Sequence, residues 1–201
     1  MAYALLFLPG VFVHEGSHWL MAKILRVPTY KFSLVPEWIS AGTLRFGYVE
    51  ISKTDSIRGS IIGFAPLFSG SAIVLWIASN PFGLDLGPTI FQWEIIRNWF
   101  QSVYQTPNFG LWLYFLLTIS NMMLPSASDR RAWLRAGLLL LAFSIALYFI
   151  GLGAVAGTWL KGPTLRIFSG LTQAFLISSL LDLLLLIPIV ILEKSLKRAR
   201  A

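Results

Sequence analysis

Cysteine is absent from this 201-residue chain, and histidine occurs only twice. The first absence excludes disulfides, thiolate metal sites and cysteine nucleophiles. Charge is scarce too: Asp, Glu, Lys and Arg make up 12% of the residues, about half the share in a soluble globular domain. Hydrophobic residues make up 56%, and the mean hydropathy is +0.72. Acidic residues are the scarcer sign, nine against sixteen basic, for a net charge of +7. That excess is not the footprint of a nucleic-acid-binding protein. It gathers at the ends of apolar runs, where Lys and Arg orient membrane proteins. The composition predicts an all-α integral membrane protein, a single multipass domain over 1–201 with the lipid bilayer as its surroundings. The N-terminus lacks the basic region and small-residue cleavage site of a signal peptide, so it is expected to stay as the first span.

Five stretches, at about 4–25, 57–79, 109–124, 132–156 and 167–192, approach the roughly 20 apolar residues that a bilayer core needs. With the N-terminus outside, thirteen of the sixteen basic residues fall on the inner side. Only Arg97, Lys161 and Arg166 lie outside. The positive-inside rule therefore predicts a cell-membrane protein with an outer N-terminus and a cytoplasmic C-terminus.

Between spans one and two the period changes. Tyr30, Phe32 and Leu34 alternate with Lys31 and Ser33, and Leu44, Phe46 and Tyr48 alternate with Arg45 and Gly47. Period two, punctuated by Pro36 and Ser40-Ala41-Gly42, predicts a small β-hairpin or sheet. Span two carries Gly59, Gly63 and Gly70, which permit close helix packing, and Pro66, which should bend it. The segment 80–107, with Phe91, Trp93, Trp99 and Phe100 and few charges, reads as an interfacial amphipathic helix.

Both histidines stand in one pentapeptide, His14-Glu15-Gly16-Ser17-His18, inside the first apolar run. Residues four apart share a helix face, so the two imidazoles can converge on one ion. The adjacent glutamate can then take a proton from a water molecule there. This is the HExxH arrangement of zinc hydrolases. Ionisable groups at membrane depth are costly and mark functional sites by default. His14 lies roughly 15 Å into its span and His18 roughly 6 Å deeper, at 1.5 Å per residue.

A catalytic zinc usually takes three protein ligands. With no other histidine and no cysteine, the third must be a carboxylate among Glu37, Glu50, Asp55, Asp85, Glu94, Asp129, Asp182 and Glu193. Glu37 lies nineteen positions beyond His18, but in the strand-like region. Asp129 is better placed. It follows a span broken by Pro125 and small residues, as tolerated at membrane depth where backbone lines a cavity. It could also pair with Arg130, Arg131 or Arg135. Asp182, isolated in the last span, has Ser178 and Ser179 within one turn as contacts.

Three motifs together resemble the site-2 protease family of intramembrane zinc metalloproteases. His14-Glu15-Gly16-Ser17-His18 matches its HExxH. Ala65-Pro66-Leu67-Phe68-Ser69 is similar to its second-helix Gly-Pro motif, with alanine for glycine. Asn121 and Asp129 keep the separation of its Asn…Pro…Asp motif, with the proline one place late and Arg130 where the family has glycine. The likeness covers residues 7–139, a metalloprotease-like core over 1–139; 140–201 would add C-terminal helices. The resemblance implies that His14, His18 and Asp129 bind Zn2+, that Glu15 activates water, and that Asn121 positions the substrate backbone or steadies the oxyanion. It implies a membrane-protein or peptide substrate, presented as an added β-strand. Two rival expectations stand beside this endopeptidase. One is a non-proteolytic, chaperone-like relative of the same fold. The other, less favoured because the chain shows no internal repeat, is a transporter.

Overall fold

The structure, a computed structural model, describes residues 5–40, 43–84 and 93–200. It is mostly helical. Six helices are described: α1 (Leu8–Ile24), α2 (Ser56–Ser79), α3 (Trp93–Val103), α4 (Phe109–Met122), α5 (Trp133–Phe149) and α6 (Gly153–Arg200). A 3-10 turn, Asp129–Ala132, leads into α5. Between α1 and α2 lie four strands, β1 (Thr29–Ser33), β2 (Glu37–Ser40), β3 (Thr43–Arg45) and β4 (Tyr48–Ile51).

Each boundary of the region between α1 and α2 has a local cause. Pro9 sits in the first turn of α1, where its missing N–H is no loss. At the other end Arg26 takes φ 57, the left-handed position, and the Val27 N–H reaches back to the Ala22 carbonyl. The chain is thereby turned out of the helix and into β1. The start of α2 is capped by Asp55, whose carboxylate accepts from the Ile57 and Arg58 N–H groups.

The period-two segment forms a single hairpin in two pieces. β1 pairs antiparallel with β4, and β2 with β3. Pro36 on one limb and Phe46-Gly47 on the other fall at the break between the two ladders. Ala41 and Gly42 of the expected turn lie outside the described residues, as do Phe91 and Asp85 of the 80–107 segment. Within that segment α3 is strongly amphipathic; it exposes Trp93 and buries Val103.

The main core joins α2, α4 and α6: Val74 and Ile77 meet Leu116, Ile119 and Met123, and Ala174 closes the third side. A second cluster, Ala22, Val27 and Ile62, fastens α1 to α2. Across the same seam the Ser17 and Ser69 hydroxyls are hydrogen-bonded, and Ser69 also donates to the Ala65 carbonyl at 2.9 Å. Pro66 is fully buried. The Ala-Pro-Leu-Phe-Ser stretch is thus a packing seam.

Among the described residues, three helical stretches are long and apolar enough to cross a membrane: Ser56–Ser79, Asp129–Phe149 and Leu160–Leu186. The first matches the expected second span almost residue for residue. Two expected spans are shorter as helices, 17 residues for α1 and 14 for α4. The last one is longer: α6 runs 48 residues, through Gly162-Pro163 and well past its apolar stretch at both ends.

Candidate metal centre

Four elements build the site. α1 supplies His14, Glu15 and His18, and the turn after α4 supplies Asp129. α2 forms the floor and β4 one wall. The His14 and His18 Nε2 atoms stand 3.2 Å apart. Asp129 lies across from them, its Oδ1 at 3.1 Å from His18 Nε2 and its Oδ2 at 3.7 Å from His14 Nε2.

The other ring nitrogens are tied to backbone. His14 Nδ1 donates to the Met122 carbonyl at 2.6 Å, and His18 Nδ1 to the Ile62 carbonyl at 2.9 Å. A carbonyl oxygen only accepts, so Nδ1 of each ring carries a proton and Nε2 is the nitrogen left to face the cluster. Two Nε2 atoms and a carboxylate therefore face one point. A cation satisfies that set, and the ligand atoms lie within 4.8 Å of one another. Two nitrogens bound at about 2.0–2.1 Å to a tetrahedral ion would stand about 3.3 Å apart, close to the spacing found here. The donor set fits a divalent metal ion, with the carbonyl-to-imidazole bonds supplying the outer support that such ligands normally have.

Asp129 is held in place by its own turn. Its Oδ2 accepts from the Ser126 N–H at 2.6 Å. Arg130 bends away and gives its Nε to the Ser126 carbonyl, so Asp129 meets the histidines while Arg130 closes the turn. The turn sits directly on α2. A Cβ added at Gly63 would collide with the Asp129 carbonyl, so only glycine allows this approach. Beside it, Trp133 stacks on Phe64 with ring centroids 3.8 Å apart. Glu37, the other carboxylate weighed from sequence, pairs with Arg45 at 3.3 Å on the hairpin and is not in the cluster.

Compared with family models, with curated proteins and with solved structures, the chain matches none. Its reading rests on the site itself.

The cluster opens into a cavity of about 660 Å³, lined also by Glu15, Tyr48 to Ile51 of β4, and Asn121. Glu15 faces the hairpin at Gly47, where an added Cβ would come within 3.1 Å of Glu15 Cγ and 2.8 Å of Val11 Cγ1. Asn121 touches the cavity but donates its amide elsewhere, to the Leu117 carbonyl and to Asp182 Oδ1, each at 3.0 Å. Sequence reasoning gave Asp182 to nearby serines, but Ser178 bonds the Ala174 carbonyl of its own helix. A partner 61 positions away leaves no local pattern to read.

Proposed function

We infer that the protein is a zinc-dependent endopeptidase of the membrane, hydrolysing a peptide bond in or near a transmembrane segment of another protein. One observation carries this reading: two imidazole nitrogens and a carboxylate converge in a cavity that is also lined by the glutamate of the HExxH sequence and by the residues of a β-strand. The nitrogen and oxygen donors suit zinc, and His14, His18 and Asp129 leave room for a further ligand. Bound there, zinc would supply Lewis acidity, polarising a carbonyl and acidifying water.

The chain's own groups supply the rest. Glu15 accepts a proton from water in the cavity and delivers it to the departing amide nitrogen, a general base that becomes a general acid. Strand β4 lines the cavity, and one of its edges pairs with β1. Its other edge can take an extended peptide by strand addition, which unwinds a substrate helix and exposes its scissile bond. Fixed Nδ1 bonds keep both imidazoles from rotating as the substrate enters.

A membrane location is supported by α2, α5 and α6, and by α5 in particular, which buries none of its described side chains while exposing Leu138 to Leu141 and Phe143. An apolar helix exposed all round needs lipid or a protein partner. The positions of Lys and Arg support an outer N-terminus and a cytoplasmic C-terminus. The deciding experiment measures metal content of the purified protein and cleavage of reconstituted single-span substrates. Stoichiometric zinc, with cleavage blocked by a chelator and restored by zinc, is expected. Zinc-free protein that cleaves equally well would refute the reading.

A further inference from the structure

We propose that Asp182 is a positioning residue, which turns the Asn121 amide so that its carbonyl oxygen faces the cavity and accepts a backbone N–H of the bound peptide. The proposal deepens the peptidase reading and rests on it. Asp182 belongs to α6, beyond the stretch that carries the HExxH and Asn…Pro…Asp motifs. A carboxylate within an apolar, membrane-length stretch is expensive and calls for a job.

The geometry specifies that job. Asn121 has two amide hydrogens and one amide oxygen. Both acceptors near its nitrogen, the Leu117 carbonyl and Asp182 Oδ1, lie at 3.0 Å. A backbone carbonyl cannot donate, so the amide atom beside the Leu117 oxygen must be the nitrogen. Both hydrogens are therefore consumed. Among the described residues none donates to Asn121 Oδ1, and the side chain lines the cavity. What Asn121 offers the substrate is an acceptor. That suits the N–H of an extended peptide and is wrong for a developing oxyanion, which needs donors. Without Asp182 the amide would keep only the Leu117 bond and could rotate about it.

The test has two arms. In the first, full-length protein labelled with 15N-asparagine is studied in detergent micelles. The chain has four asparagines, and the Asn121 side-chain signal is identified by its loss in Asn121→Ala. Asp182→Leu should speed solvent exchange of that amide at least about tenfold, because one of its two bonds is lost. Asp182→Asn, whose amide oxygen still accepts, should stay within about threefold of wild type. Unchanged exchange in Asp182→Leu overturns the positioning role, whether or not the protein is a protease.

The second arm uses a cleaved single-span peptide and analogues with single backbone amides replaced by esters. One ester near the scissile bond should lower kcat/KM by about tenfold in wild type and have no effect in Asn121→Ala. Asp182→Leu should lower kcat/KM in wild type but add less than about twofold in Asn121→Ala, with zinc content unchanged. Additive losses, or equal ester effects with and without Asn121, overturn the proposal. Absence of any cleavage with the first arm intact would instead count against the peptidase reading and leave Asp182 as the residue that orients Asn121.

Discussion

Each imidazole of the metal centre is held by a carbonyl from a different helix, His14 by α4 and His18 by α2. Glu15 stands on α1 beside them but makes no part of the ligand group. In the proposed reaction it moves protons, so Glu15→Gln should abolish cleavage, by at least about 100-fold, while zinc content stays at wild-type level. Metal analysis beside a cleavage assay checks this, and loss of both together would make Glu15 a ligand or a fold residue. The carboxylates separate as cleanly. Asp129→Ala should weaken zinc binding by at least about tenfold, a loss that even outer partners can cause. Glu37→Ala, which breaks only an exposed pair with Arg45, should leave zinc affinity unchanged. Zinc titration of both variants in detergent decides between them. At this scale the HExxH spacing was fully legible in the sequence, because i and i+4 share a helix face. Asp129 was legible only through a helix break and a motif. The Nδ1 partners were not legible at all, since any carbonyl of any neighbouring helix would have served.

Helix contacts turn these residues into a site, and two of them can be probed. The Asp129 turn rests on Gly63 of α2 without room for a side chain. Gly63→Val should push the turn outward and lower zinc affinity at least about tenfold, although Gly63 itself supplies no ligand. The far-ultraviolet circular dichroism should stay that of wild type, which distinguishes displacement from unfolding. Asp55 tests the start of the same helix. Hydrogen bonds from the backbone, that of Arg58 foremost, hold its carboxyl below the ordinary 3.8. A lowered pKa means that the cap stabilises fully above that value and is lost as pH falls through the lower, folded one. The melting-temperature gap between wild type and Asp55→Ala should therefore be constant above about pH 5 and narrow below the ordinary carboxylate range. Element boundaries were the less legible part of the chain. Hydropathy marks where α6 is apolar, and hydrogen bonding continues beyond that into polar residues at both ends. The hairpin was better marked, because alternation and Pro36 both bear on the same break.

For the whole molecule, the proposed reading requires one orientation in the bilayer. A reporter fused after Ala201 should be cytoplasmic, and one inserted at Thr106, between α3 and α4, should be external. The reverse at either point would overturn the arrangement drawn from Lys and Arg.

The ligands also lie far apart along the chain, with about 110 residues between His18 and Asp129. Synthesis at about 5–20 residues per second puts roughly 5–20 seconds between the emergence of the two halves. A growing chain therefore carries two of the three candidate ligands well before the third exists. Asp129 and its turn reach Gly63 only after α4 has been made, so any ion that the three residues hold together must wait for most of the chain.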